Sequence, residues 1–331
     1  MTFRSIGVMG GGAWGTALAH RLALNGRSVL IWAFEPETVD AINTHHTNPL
    51  FLADIPLSHA LRATSDLSAL SACELVLLVP PAQHLGRLAG ELVHHVSRDV
   101  PFVICAKGIE RETNRLLQDV LAATAPHQPF AFLSGPSFAS EVAKGLPAAL
   151  TVACPDADLG RKIAETIGSP NLRLYWTDDV VGVAIGGAAK NVLAIAAGIV
   201  DGRALGANAH AALVTRGFAE LRRFAEAHGA RAETLAGLSG LGDLLLTCGS
   251  PQSRNMSLGR ALGQGQSIED VLGARTSVTE GVYTAAAMVA MAEAKGIDVP
   301  ISRAVLAIVE GHIGVDAAIE ALMQRPLKAE D

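Results

Sequence analysis

The sequence predicts an α/β domain built on a doubly wound parallel sheet, followed by an all-α domain. Three observations carry this. Short apolar runs alternate with helical segments through the first half of the chain. Strand signals nearly vanish after about residue 179. The first fifteen residues read as a buried strand, a glycine turn and a helix. A length of 331 residues exceeds a typical single domain. The expected division is a doubly wound, Rossmann-type α/β domain over 1–179 and an α-helical domain over 180–331.

Strands are expected over 3–9, 28–32, 74–80, 101–106, 130–133 and 148–153. The run at 74–80 is continuously apolar, as in a parallel sheet covered on both faces. Helices fall between them, over 16–23, 36–43, 82–96, 113–123 and 157–167. In the second half, helical patterns cover 180–200, 207–228, 231–237, 258–263, 267–271, 278–295, 300–310 and 315–324. Thr279-Glu280-Gly281 opens one of these and Pro300 sits just inside another, as helix starts often do. Residues 327–331 read as a frayed tail.

Half of the residues are hydrophobic, enough for ample core in two domains. The net charge of −6 and the unbunched basic residues argue against nucleic acid as a partner. Cys73, Cys105, Cys154 and Cys248 are widely spaced, so they read as buried small hydrophobes in a reducing compartment. His45-His46 and His94-His95 lack helical ligand spacing, and no metal site is expected. No signal peptide is expected before the first strand. The run at 180–200 comes closest to a membrane span but carries Lys190, Asn191 and several glycines. The expectation is a cytoplasmic protein with a small-molecule substrate and no integral membrane association.

Gly10, Gly12 and Gly15 stand in the G-x-G-x-x-G register directly after the first strand. The first glycine suits the tight turn, the second lets backbone approach a pyrophosphate, and the third lets the helix pack on the strand. The N–H groups of the helix start then face the phosphates. The motif points to a dinucleotide.

Other clusters bear chemistry. Lys107 follows the 101–106 strand and precedes Gly108, where it can reach a ligand or remain a solvated surface lysine. Ser134-Gly135-Pro136-Ser137 joins a strand to a helix, either as a close backbone approach to a ligand or as a capped turn. Lys190 lies in a strongly apolar helix at the expected domain junction. Burial there lowers a lysine's pKa and suits it to proton transfer near neutrality, the other reading being a structural ion pair. Asp243 stands behind the glycine-rich 237–242 stretch, as an acid in the site or as a helix cap. Ser253-Arg254-Asn255 is expected in a loop beside Pro251, where arginine can fork onto a phosphate or sit on the surface.

Six segments in order resemble one family, the NAD(P)-dependent sn-glycerol-3-phosphate dehydrogenases of bacterial phospholipid synthesis. They are GGGAWGTAL from Gly10, AKG from Ala106, SGPSFASE from Ser134, AKNV from Ala189, GLGDL from Gly240 and SRN from Ser253. The resemblance implies a Rossmann domain, a helical domain and a homodimer. It implies Lys190 as the acid/base. Lys107, Gly135, Ser137, Lys190, Asp243, Ser253, Arg254 and Asn255 would line the substrate. Ala13, Trp14, Ala139, Val278 and Glu280 would sit by the dinucleotide with the glycine turn, and Lys107 and Arg254 would be shared between the two ligands.

One departure bears on the cofactor. Many bacterial members carry Arg or His just after the second strand, where it meets the 2′-phosphate of NADP. Here Phe34 occupies that place and Glu35 follows, as in the NAD-linked eukaryotic relatives. The expectation is therefore use of NADH at least comparable to NADPH. The implied reaction is reversible reduction of dihydroxyacetone phosphate to sn-glycerol 3-phosphate. A related hydroxy-acid reductase and a non-catalytic dinucleotide sensor are the competing readings. The serine–arginine–asparagine segment argues against the first, and Lys190 with Asp243 against the second.

Overall fold

A computed structural model of the chain describes residues 2–273, 279–327 and 329. It divides into two compact units. One comprises Met1–Ala106 with Leu117–Val183, the other Lys107–Leu116 with Ala184–Asp331.

The first unit is built on β1 (Ser5–Met9), β2 (Ser28–Trp32), β3 (Arg62–Thr64), β4 (Leu75–Leu78), β5 (Phe102–Ile104), β6 (Phe130–Ser134), β7 (Ala148–Ala153) and β8 (Leu172–Thr177). They form one eight-stranded sheet in the order β3-β2-β1-β4-β5-β6-β7-β8. The first six strands are mutually parallel, in the order that binds dinucleotides in doubly wound folds. Helices α1 (Ala13–Leu24), α2 (Pro36–Asp40), α3 (Leu85–Leu92), α4 (Leu117–Thr124), α5 (Ala139–Ala143) and α6 (Ala157–Ile167) connect them. The core is aliphatic: Ile6, Val8, Ile31, Leu75, Leu77 and Val103 are fully buried.

Several expectations need correction. The sheet is not wholly parallel, because β7 runs antiparallel to β6. The link between them carries only the five-residue α5 and turns the chain back beside β6, whereas the eleven-residue α6 makes a parallel crossover from β7 to β8. Two strands escaped the sequence reading. β3 is a three-residue edge with one buried position. β8 alternates Leu172, Leu174 and Trp176 with the exposed Arg173 and Tyr175, the period-two pattern of a half-buried strand. The helix expected from residue 113 starts at Leu117, since Ile109 and Leu116 pair in a small hairpin.

The second unit holds most of α7 (Val180–Gly202), then α8 (Gly206–Ala227), α9 (Ala232–Ala236), α10 (Asp243–Cys248), α11 (Arg254–Gly263), α12 (Ile268–Gly273), α13 (Glu280–Ala294), α14 (Pro300–Val309) and α15 (Val315–Met323). α10 is not among the helices expected from the sequence; it begins at Asp243, directly after the glycine-rich stretch. α7 is long and apolar enough to cross a membrane by composition, but its apolar window is wholly buried within the fold. Alternating glycines let α7 and α11 touch backbone to backbone. A Cβ on Gly198 would lie 2.0 Å from the Met256 carbonyl oxygen, and one on Gly259 would lie 1.9 Å from that of Ile195. This close crossing fixes α11 against the C-terminal half of α7.

Candidate active site

In the sheet unit the glycine turn has the geometry its spacing implies. Gly10 has φ +134°, and a Cβ there would lie 2.7 Å from the Val79 carbonyl oxygen. A Cβ on Gly15 would lie 2.0 Å from the Gly10 carbonyl, so α1 seats directly on the turn. Gly12 is different: a Cβ there would meet nothing within 4 Å, so its backbone fronts open space. Gly12 also caps α1 without any side-chain hydrogen bond, leaving the first N–H groups to a ligand. Ala13 opens that helix, and Trp14 has a buried indole N–H with no hydrogen-bond partner. Phe34 is 74% exposed just beyond β2, with Glu35 half-buried before α2.

Gly135 follows β6 with φ +140°, and the Ser137 hydroxyl donates to its carbonyl at 3.2 Å. Ala139 opens α5. These residues form a tight polar turn at the end of β6.

In the helical unit, two lysines distant in sequence converge on one carboxylate. Asp243, the first residue of α10, is 1% exposed. Lys190 Nζ donates to its Oδ1 at 2.6 Å, and Lys107 Nζ donates to its Oδ2 at 2.6 Å. Lys190 also donates to the Thr247 hydroxyl at 2.9 Å, which in turn donates to the Asp243 carbonyl at 2.6 Å. Two of the three ammonium hydrogens of Lys190 thus have partners among the described residues.

Close packing delivers Asp243 to this place. A Cβ on Gly186 of α7 would lie 2.6 Å from the Ser239 carbonyl, so the turn preceding α10 lies on the backbone of α7. Burial lowers the pKa of Lys190 from 10.5 to about 8, with Asp243 opposing the shift and Lys107 adding to it. Burial works to raise the carboxyl of Asp243, but the two lysines outweigh it and hold the group below its ordinary range.

Ser253, Arg254 and Asn255 do not lie in a loop. Ser253 is the N-cap of α11, accepting from the Met256 N–H at 3.2 Å, and Arg254 and Asn255 are the first helical residues. The serine cap starts the helix at Arg254, four residues before the Leu258 start that its apolar pattern suggests. Arg254 is exposed and within electrostatic reach of Glu280, which opens α13. Asn255 donates to Asn191 Oδ1 at 3.0 Å and accepts from the Gly281 N–H at 3.0 Å. Val278 lies outside the described residues.

Sequence reasoning assigned no role to Thr247 and Asn191. Thr247 stands one helical turn beyond Asp243, a spacing that was legible once α10 was recognised. Asn191 is adjacent to Lys190, but its partner is 64 residues away. Among the described residues no group of three or more His, Cys, Asp or Glu side chains is placed to hold a metal.

A six-strand parallel order with a glycine turn, and a buried lysine bonded to a carboxylate, define a two-domain nicotinamide-dependent dehydrogenase. The family follows from comparison. The model of the NAD-dependent glycerol-3-phosphate dehydrogenase N-terminus matches residues 5–160, and that of its C-terminus matches residues 179–320. The chain belongs to this family. It is 54% identical to glycerol-3-phosphate dehydrogenase [NAD(P)+] of Caulobacter vibrioides, with both chains covered in full. It is 52% identical to the enzyme of the same name from Parvibaculum lavamentivorans, covering 100% of this chain and 99% of that one. The crystal structure of glycerol-3-phosphate dehydrogenase (gpsA) from Coxiella burnetii superposes with a TM-score of 0.94 at 36% identity, over 97% of this chain and 99% of the other.

Proposed function

We propose that the protein catalyses reversible reduction of dihydroxyacetone phosphate to sn-glycerol 3-phosphate, serving glycerophospholipid synthesis. The observation that carries this reading is the buried Lys190, bonded to Asp243 and Thr247. Family membership supplies the substrate class.

The residues present fit a dinucleotide. The uncapped α1, the open approach at Gly12 and the unpaired Trp14 indole N–H suit a phosphate-bearing ligand. Ala13, Trp14, Ala139, Val278 and Glu280 are proposed to lie along it, with Gly10, Gly12 and Gly15. A nicotinamide held there would supply the hydride chemistry of the reaction.

The chain's own residues do the rest. Lys190, as the ammonium, gives a proton to the C2 oxygen during reduction and recovers one from the hydroxyl in the reverse direction. Asp243 holds Lys190 and Lys107 apart by offering each a separate oxygen, which keeps both amines oriented. Lys107 adds positive charge that favours the developing oxyanion. Arg254 and Asn255, with Ser253, anchor the phosphate at the start of α11 and so fix the carbonyl, a positioning effect. Gly135 and Ser137 contribute further substrate contacts, and Lys107 and Arg254 serve both ligands.

Cys73, Cys105, Cys154 and Cys248 are buried thiols outside any disulfide, which supports a reducing cytoplasmic setting. The homodimer rests on the family resemblance. The deciding assay measures initial rates with NADH and NADPH, each with dihydroxyacetone phosphate and a non-phosphorylated analogue. Oxidation of the nicotinamide that requires the phosphorylated ketone is expected. Dinucleotide binding without turnover would mark a sensor and sink the enzyme reading.

A further inference from the structure

Asn48 lies in the excursion between α2 and β3, and no part of the mechanism above uses it. It is fully buried. Its Nδ2 donates to the Gly11 carbonyl at 2.8 Å and to the Thr16 hydroxyl at 2.8 Å. Its Oδ1 accepts from the Phe51 N–H at 3.3 Å. The Thr16 hydroxyl donates to the same Gly11 carbonyl at 3.1 Å. These contacts fix the orientation of the amide. Turning it over would set its oxygen against the Gly11 carbonyl and its NH₂ against the Phe51 N–H.

Gly11 is the residue inside the glycine turn whose carbonyl precedes the Gly12 amide. The peptide is planar and trans, so a carbonyl held inward forces the Gly12 N–H to point the opposite way. Gly12 is the position that fronts open space and caps α1. Its amide is therefore aimed outward by two donors on the inner side, Asn48 and Thr16. The excursion that carries Asn48 is itself fastened to α1, since the Ser58 N–H donates to His20 Nδ1 at 2.9 Å. Another link closes it on itself, from the Leu57 N–H to the His46 carbonyl at 2.8 Å.

We propose that Asn48 is a positioning residue for dinucleotide binding: through the Gly11 carbonyl it sets the direction of the Gly12 amide towards the pyrophosphate. The proposal rests on the reading that the glycine turn binds a dinucleotide. Asn48 touches neither ligand in this account, and its effect is on affinity for the phosphate-bearing part of the cofactor.

The test is titration of NADH and of ADP-ribose against wild type, Asn48→Ala and Thr16→Val, with thermal melts and steady-state kinetics alongside. Loss of one oriented hydrogen bond is expected to raise both dissociation constants about fivefold to tenfold in Asn48→Ala and about threefold in Thr16→Val. The KM for NADH should rise in parallel, while the KM for dihydroxyacetone phosphate at saturating NADH stays within about twofold. A residue with only a structural role would lower the melting temperature and leave the dissociation constants of the folded protein unchanged. Wild-type affinity in a folded Asn48→Ala protein overturns the proposal. If that variant does not fold, wild-type affinity in Thr16→Val overturns it. Failure of the wild type itself to bind NADH or ADP-ribose overturns the dinucleotide reading, and this proposal with it.

Discussion

Lys190 Nζ and Asp243 Oδ1 lie 2.6 Å apart in the interior of the helical unit, joined by residues 53 positions apart in sequence. Neither charge is tolerable there alone, because an unpaired buried ion costs several kcal/mol. Burial lowers the pKa of the amine against the pull of Asp243, and the pairing fixes its direction, the two properties a proton donor needs near neutrality.

The pH dependence follows from that pairing. Burial, partly offset by Asp243, brings Lys190 down to about 8. Reduction needs the ammonium, so its kcat/KM should fall as pH rises through about 8. Oxidation needs the neutral amine and should rise over the same range. Lys190→Ala should lose about 10²–10⁴ in turnover while NADH binding, read by fluorescence titration, is nearly intact. Flat profiles in both directions, or wild-type turnover in the variant, would remove Lys190 from the proton transfer.

Arg254 is exposed at the first turn of α11, beside the Ser253 cap. Arg254→Ala should raise KM for dihydroxyacetone phosphate far more than for a non-phosphorylated analogue. Some loss of kcat should accompany it, since remote phosphate binding assists the chemical step. Equal losses with both substrates would show that Arg254 does not read the phosphate.

Phe34 is exposed just beyond β2, where the family resemblance implies a cation in NADP-linked members, and Glu35 follows it. A carboxylate there favours a ribose hydroxyl over a phosphate. NADH should serve at least as well as NADPH, and Phe34→Arg should shift kcat/KM towards NADPH. A strong wild-type preference for NADPH would refute this and call for a cation elsewhere around the adenosine ribose.

Glu220 of α8 is 1% exposed and caps α14 from a distance. It accepts from the Ile301 and Ser302 N–H groups at 2.8 and 2.9 Å and from the Ser302 hydroxyl at 2.6 Å. Glu220→Ala should cost roughly 2–4 kcal/mol by stranding those donors, measured by denaturant midpoint, and Glu220→Gln should recover part of it. Burial outweighs the hydrogen bonds and raises its pKa above 4.5, so the folded state binds the proton more tightly than the unfolded one. That contribution is complete below about pH 4.5 and is lost as pH rises through the folded value. A midpoint unmoved in Glu220→Ala would show that solvent satisfies the helix start.

Much of this protein was legible before any coordinates. β2, β7 and α6 stand where their apolar runs placed them, and the glycine turn adopts the strained geometry that its spacing announced. Such features depend on a few neighbouring residues, so local pattern is enough to read them. β3 was too short to carry a pattern, and α11 began at a serine cap that the apolar periodicity did not include.

The sequence by itself determined the class of fold and the glycine turn, and it pointed to Lys107, Lys190 and Asp243 as candidates for the site. Tertiary structure alone decided how those residues pair. Lys107 meets Asp243 across 136 positions, and Asn48 reaches the glycine turn from 37 positions away. No periodicity encodes such partners. They meet because glycines let backbones touch, as at Gly186 against Ser239 and Gly198 against Met256, and because each buried donor must find an acceptor where the packed chain leaves one.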